Sequence, residues 1–258
     1  MKVRMLTALL ATALGGAALL VAPAAWAENG KFSLATGFDY STGKYGTAST
    51  TGIFSIPMVG KYATGPWVFK LTAPYVRISG MGGVVPGTGR IKTSGSTSNT
   101  QSGLGDTVAA ATYNLYDNHE SALGVDLTGK IKLATAGTGL GSGANDYAAQ
   151  MDIYQSLDKF TAIGSLGSRI LGSPAGISLN TVLYGSFGGV YQFTNQTSGG
   201  VDMSLAQSPS TTTAGQQELT AYVSYKIDRH LKAQGYVLKG FSGGSPDRGV
   251  GALVTYGF

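Results

Sequence analysis

Twelve charged side chains recur at positions that an extended strand turns to one face. In the stretch 123–133, Asp126, Lys130 and Lys132 alternate with Leu127, Ile131 and Leu133. Lys70 stands among Trp67, Phe69 and Leu71, Asp152 and Tyr154 flank Ile153, and Tyr222 and Lys226 share a face opposite Val223 and Tyr225. Successive strand side chains point to opposite sides, so each set occupies one surface. Asp39, Lys61, Arg169, Asp202, Glu218 and Lys232 extend that surface, and Tyr154, Tyr184, Tyr222 and Tyr236 lie on it. Charges of both signs on an enclosed face either pair and stiffen the interior or orient polar solutes. The sequence leaves both open.

Other chemistry is poorly supplied. There is no cysteine, which excludes thiolate metal sites, disulfides and cysteine nucleophiles. Gly124–Ile131 approaches the phosphate-binding pattern GxxxxGK[ST], but Ile131 replaces the hydroxyl and the segment alternates like a strand. The two histidines, His119 and His230, both fall in short polar turns. No cluster of histidines and acids suggests a metal. The expectation is therefore no catalytic residue, no metal and no cofactor. Basic residues are scattered rather than massed, so nucleic acid is not an expected partner.

The elements that must carry these faces are strands. Only 12% of residues are charged while 40 of 258 are glycine. Apolar residues alternate with polar ones in segments of about ten residues, the period and length of a membrane-spanning β-strand. Short polar connections near residues 63–66, 117–120, 157–159, 194–196 and 228–230 alternate with longer Gly/Ser/Thr-rich ones near 41–50, 79–103, 134–145, 172–179, 206–215 and 242–246. Alternating short and long connections are those of an outer-membrane barrel. The count gives an all-β, antiparallel, up-and-down transmembrane barrel of about twelve strands, with both termini on the short-turn side. Pro57 and Pro74 lie inside strand-like runs and lack ladder donors, so bulges or strand ends are expected there.

Residues 1–27 read as a secretory signal peptide: Lys2 and Arg4, an apolar run to about Val21, then Ala25-Trp26-Ala27. Its removal lowers the formal net charge of +5 by two. Residues 28–258 form the barrel domain. The chain ends with Val250, Ala252, Val254, Tyr256 and Phe258 on one face. That ending resembles the targeting signal of bacterial outer-membrane proteins, with Tyr256 and Phe258 as its aromatic positions. Membrane lipid, the barrel-assembly machinery and a small-molecule solute are the expected partners, in the bacterial outer membrane. Oligomeric state is not legible.

Several further stretches carry a family likeness. Gly103-Leu104-Gly105-Asp106 opens a strand after a long loop, and Pro74-Tyr75-Val76 closes the strand before it. Ile170-Leu171-Gly172-Ser173-Pro174 and Leu183-Tyr184-Gly185-Ser186 follow. With the leader and the terminal Phe258, this pattern resembles the outer-membrane transporter-like family labelled "MetA-pathway of phenol degradation". The resemblance implies a barrel that takes up aromatic or other hydrophobic compounds, and it supplies no catalytic residues. A channel for small molecules is thus the first expectation, with Arg90 and Lys92 in the longest loop as candidates for an inward-folded constriction. A non-conducting structural or surface-binding barrel is the alternative. A barrel enzyme needs a histidine at the outer rim, which this topology does not place there.

Overall fold

A strand exposed to hydrocarbon must find partners for its backbone N–H and C=O groups on both edges, because each unpaired group costs several kcal/mol. The computed structural model meets this demand by closure. It describes residues 9–11, 19–21, 27–81, 83–91, 98–118, 120–174 and 176–258. The barrel strands are β1 (Ala27–Gly43), β2 (Thr51–Gly65), β3 (Trp67–Met81), β4 in two segments (Ser98–Leu104 and Thr107–Asn118), β5 (Leu123–Leu133) and β6 (Asp146–Leu157). The ring continues with β7 (Phe160–Ile170), β8 (Thr181–Gln192), β9 (Thr197–Ala206), β10 (Gln216–Lys226), β11 (Leu231–Gly240) and β12 (Arg248–Gly257). Each pairs antiparallel with its sequence neighbours, and β12 pairs with β1 from Arg248↔Thr42 to Gly257↔Ser33. The result is a closed twelve-stranded antiparallel barrel.

Polarity is inverted relative to a water-soluble domain. Asp39, Asn114, Asp126, Thr128, Gln150, Asp152, Asp202 and Thr220 are buried, while Leu34, Leu71, Leu127, Leu166, Phe187 and Val223 are exposed. The alternation along each strand separates the two sets, as a lipid-facing wall with a polar interior requires. Aromatic side chains gather at the short-turn rim. Trp67 packs on Tyr113 at 4.8 Å, Tyr191 on Phe193 at 5.3 Å, and Phe258 on Phe32 at 5.5 Å.

Three of the short turns use one device. Asn118 Oδ1 accepts hydrogen bonds from the N–H groups of Glu120 and Ser121, Thr194 Oγ1 from those of Gln196 and Thr197, and Asp228 Oδ1 from those of His230 and Leu231. A short polar side chain thus mimics a backbone acceptor two and three residues ahead. The same two bonds hold the fully exposed Asp228 carboxyl below its usual range. The long connections, 44–50, 82–97, 134–145, 171–180, 207–215 and 241–247, all leave the opposite rim.

The two prolines act on their neighbours rather than on their own strands. Pro57 and Pro74 face each other in an unbroken β2–β3 register. The irregularities lie one strand further out. Pairing of β1 with β2 skips from Thr36↔Met58 to Asp39↔Ser55, and β4 is broken at Gly105–Asp106, beside Pro74. A proline offers no N–H to the flanking strand, so the flanking ladder is where the loss appears. Within residues 1–27, Leu9–Ala11 and Leu19–Val21 pair with each other. Most of residues 1–26, where the signal peptide and its cleavage motif are expected, lie outside the described residues.

Leu127 sits mid-strand on the outward face. Leu127→Arg is expected to destabilise the folded barrel by about 2–4 kcal/mol, the cost of a guanidinium at the bilayer midplane. Urea unfolding in phospholipid vesicles measures it, and an unchanged midpoint would contradict the lipid-facing assignment.

Candidate functional site

The lumen holds a cavity of about 190 Å³ in the loop-side part of the barrel. Its wall is largely apolar, from Ile53, Pro57, Pro74, Val76, Val108 and Leu238, with four cations, Lys70, Lys130, Lys132 and Arg169, and four acids, Asp39, Asp106, Asp202 and Glu218, set into it. On the short-turn side lies a buried cluster of Tyr154, Ile163, Val190, Tyr222 and Tyr236. Each tyrosine of the interior face lies directly across from a glycine on the next strand: Tyr154 from Gly124, Tyr184 from Gly167, Tyr222 from Gly200 and Tyr236 from Gly251. A Cβ built on Gly124 would stand 2.1 Å from the Tyr154 ring, and one on Gly251 2.5 Å from the Tyr236 ring. The rings therefore lie flat on the barrel wall over bare backbone, the aromatic rescue of glycine. That keeps four large side chains from closing the bore outright.

On the loop side, residues 83–91 of the connection between β3 and β4 fold inward. Its hairpin, Val84–Val85 against Gly89–Arg90, places Val84, Val85, Thr88 and Ile91 in buried positions. Val84 packs with Tyr45, Ile53, Val76, Ile78 and Leu140. Arg169 Nη1 donates to Gly87 O at 3.2 Å, tying the hairpin tip to β7. Burial among these groups raises the Tyr45 hydroxyl pKa well above its usual value. The connection between β5 and β6 also turns in: Leu140 is buried, and Lys132 Nζ donates to Ser142 Oγ at 2.6 Å.

The interior polar residues form rows along the hydrogen-bonding direction. One row runs Lys61↔Lys70↔Ala110↔Lys130↔Ala148↔Arg169 across β2 to β7. A second runs Asn114↔Asp126↔Asp152↔Ser165↔Ser186↔Ser204↔Glu218 across β4 to β10. Between them, on β6, stands Gln150. It accepts from Lys130 Nζ at 2.6 Å and from Tyr184 OH at 3.2 Å, and it donates to Asp152 Oδ1 at 2.5 Å. Asn114 Nδ2 donates to Asp126 Oδ1 at 2.7 Å and to Tyr154 OH at 3.2 Å. Tyr236 OH donates to Asp39. Lys132 collects two acids, Asp146 at 3.0 Å and Asp106 at 3.4 Å.

Of the sequence candidates, Asp126, Lys132, Asp152, Tyr154, Arg169 and Tyr222 are buried on the interior face, and Lys70 and Lys130 are half-buried there. Lys232 is half-buried and Lys226, directly across from it, is exposed, both at the short-turn end. Arg90 contributes its backbone to the inward hairpin, but its side chain and all of Lys92 lie outside the described residues. The part of that loop described inside the bore is the apolar Val84–Val85 pair. Sequence reasoning passed over Gln150 and Asn114 because they carry no charge, although both sit in the alternating pattern. It passed over the acid pair around Lys132 because Asp106 and Asp146 are joined only by loop geometry. Tyr256 and Phe258 are exposed at the short-turn rim, 5.0 Å apart. His230 sits at the same rim, its ring 5.7 Å from Tyr256 and its Nδ1 2.8 Å from Gly257 O. Among the described residues no group of His, Cys, Asp and Glu is placed to hold a metal.

No protein-family profile matches the chain, and no curated protein matches its sequence. Solved structures do match. An outer-membrane channel from Pseudomonas putida F1 is 13% identical, over 92% of this chain and 98% of that one, with a TM-score of 0.69. KdgM porin is 14% identical, over 88% of this chain and 99% of that one, at 0.52. The β domain of the Bordetella autotransporter BrkA is 11% identical, over 88% and 98%, at 0.51. The shared feature is the fold, an outer-membrane β-barrel.

Lys132 and its two carboxylates form a buried cluster of opposite charges, and its balance is testable. Lys132→Met strands two buried acids and is expected to cost about 3–5 kcal/mol. Adding Asp106→Asn and Asp146→Asn removes the uncompensated charge and should restore most of it. Equal urea midpoints for the single and triple variants would refute the pairing.

Proposed function

We propose that this protein is a passive outer-membrane channel for small molecules, delivered after loss of residues 1–27 and inserted by the barrel-assembly machinery through its Tyr256–Phe258 ending. The carrying observation is the cavity inside a closed barrel, bounded by an inward hairpin on one side and a tyrosine cluster on the other. A barrel that served only as a scaffold would gain most by filling this space with side chains. Here glycines opposite the tyrosines and alanines within the lysine row keep it open. The largely apolar wall suits a solute with a hydrophobic or aromatic body, and the resemblance to the phenol-degradation transporter family points the same way. The likeness in fold to the Pseudomonas putida channel and the KdgM porin supports the channel reading.

Liposome swelling with the purified protein tests the reading. Small sugars and phenol should enter protein-loaded vesicles faster than empty ones. Replacing Val84, Val85 and Ile91 by serine should raise single-channel conductance by roughly two-fold, because the bulk these residues place in the bore is removed. Vesicles that neither swell nor conduct would leave a scaffold or surface-binding barrel as the function.

A further inference from the structure

Exposed charges are shared unevenly between the two rims of the barrel. Among the described side chains, those of the short-turn rim balance: Lys31, Lys159, Lys226 and Arg229 stand against Asp117, Glu120, Asp158 and Asp228. At the loop rim Lys44, Arg77, Lys239 and Arg248 stand against Asp247. Three of these cations lie on the outer wall itself. Lys239 shares its face with the exposed Val237 and lies next to the buried Leu238, and Arg248 shares its face with the exposed Val250. Arg77 stands between the buried Val76 and Ile78, on the face of the exposed Tyr75. In the loop-side half of the described strands no acid shares that outward face.

Their level on the wall follows from the strands. Lys239, Arg248 and Arg77 stand eight, nine and ten residues from the short-turn ends of β11, β12 and β3. At ~3.3 Å per residue and a tilt of about 40°, that is roughly 20–25 Å along the barrel axis, the height of the apolar band of an outer-membrane barrel. The three cations thus sit where hydrocarbon gives way to headgroups, on the side of the long loops. Lys239 and Arg248 are direct cross-strand partners. Neighbouring strands stand about 4.8 Å apart, and like charges set opposite one another are destabilising. Among the described residues the side chains of Lys239, Arg248 and Arg77 make no hydrogen bond or ion pair. Next to Arg248 the wall continues with the small Thr42 and Gly52 of β1 and β2, which leave the pair open on that side. An open depression adjoins it, lined by Lys44, Lys239, Phe241 and Asp247.

We propose that Lys239 and Arg248, with Lys44 beside them, hold a phosphate of lipopolysaccharide, the phosphorylated glycolipid of the outer leaflet, whose acyl chains run down over Val237 and Val250. The proposal rests on an outer-membrane barrel with its long loops outward, and it is independent of conduction. A guanidinium forks onto two phosphate oxygens, and an ammonium alongside adds a point charge on a flexible stem. The anion between them turns a repulsive pair into an attractive one. A phosphomonoester brings close to two negative charges at neutral pH, whereas the phosphodiester of a phospholipid brings one. Two adjacent cations are therefore matched by the glycolipid phosphate and only half matched by a phospholipid. The balanced short-turn rim has no such demand.

Native mass spectrometry of the purified protein in detergent tests this, with lipid A, its dephosphorylated form, phosphatidylglycerol and inorganic phosphate as probes. Lipid A should bind about ten-fold more tightly than phosphatidylglycerol or the dephosphorylated form, the factor that one charge-assisted contact is worth. Lys239→Gln with Arg248→Gln should abolish that preference. Lys239→Glu should abolish it too, while its carboxylate pairs with Arg248 and keeps or raises the urea midpoint in lipid-free detergent. That variant separates loss of the site from loss of the fold. Lys159→Gln with Arg229→Gln, at the opposite rim, should bind lipid A as the native protein does. Phosphatidylglycerol bound as tightly as lipid A, full displacement of lipid A by inorganic phosphate, or native binding by Lys239→Glu would each overturn the site. All three would leave the channel reading standing, because these side chains face away from the lumen. A protein that holds lipid A through this pair and conducts nothing would support the site and overturn the channel.

Discussion

Every other feature of this molecule depends on the pairing of β12 with β1. Ten register pairs, Arg248↔Thr42 to Gly257↔Ser33, join the end of the chain to its beginning. Without them two strands would present free N–H and C=O groups to hydrocarbon. With them no edge remains, and the sheet has only an outside and an inside. That division allows buried residues to be polar and exposed residues to be apolar. It also explains the local effort spent at the seam. Phe258 N–H donates to Phe32 O at 3.0 Å, His230 contacts the Gly257 carbonyl, and aromatic rings from both strands stack over the joint.

Closure creates a volume that something must fill. Twelve strands leave more room than eight, whose side chains suffice to fill the centre. Here the short-turn half is occupied by the tyrosine cluster, the loop-side end by the inward hairpin, and the space between is left with charged groups around it. The rows show how this is arranged. Large residues have a small one on at least one side along the hydrogen-bonding direction at several positions, glycine beside Tyr154, Tyr184, Tyr222 and Tyr236 and alanine beside Lys70 and Lys130. An interior built this way has a definite shape without being solid. Several of its polar groups are satisfied sideways, along the wall, by neighbours such as Gln150 and Asn114.

The architecture was legible from period-two alternation because a one-residue change of face would put Asp126 or Asp152 into lipid. The alternation of connection lengths gave strand number for the same physical reason, since one rim needs only tight turns. The interior face was legible residue by residue for the charged side chains. Their grouping was not. That Lys61, Lys70, Lys130 and Arg169 form one row depends on the registers of five strand pairs, and no single strand carries that information. The inward hairpin was open for a similar reason. Val84 and Val85 are apolar residues in a Gly-rich loop, and only their packing on Tyr45, Ile78 and Leu140 distinguishes them from an exposed tip.

The break in β4 shows how a defect in the wall is used. Pro74 withholds a ladder donor, and the facing strand answers by leaving the register at Gly105–Asp106. The freed groups are recovered locally. Gly105 N–H donates to Pro74 O at 2.8 Å, Thr135 Oγ1 donates to Gly105 O at 3.2 Å, and Thr107 N–H donates to Thr135 Oγ1 at 2.9 Å. A Cβ on Gly105 would meet Val76 at 2.8 Å, so the close approach requires glycine. What the break yields is Asp106, released from the strand to accept from Ala136 N–H and to reach Lys132. That contact fixes the β5–β6 connection, and with it Leu140, against the inward hairpin. A proline on one strand thereby sets the position of two loops over the lumen, through bonds that can each be named.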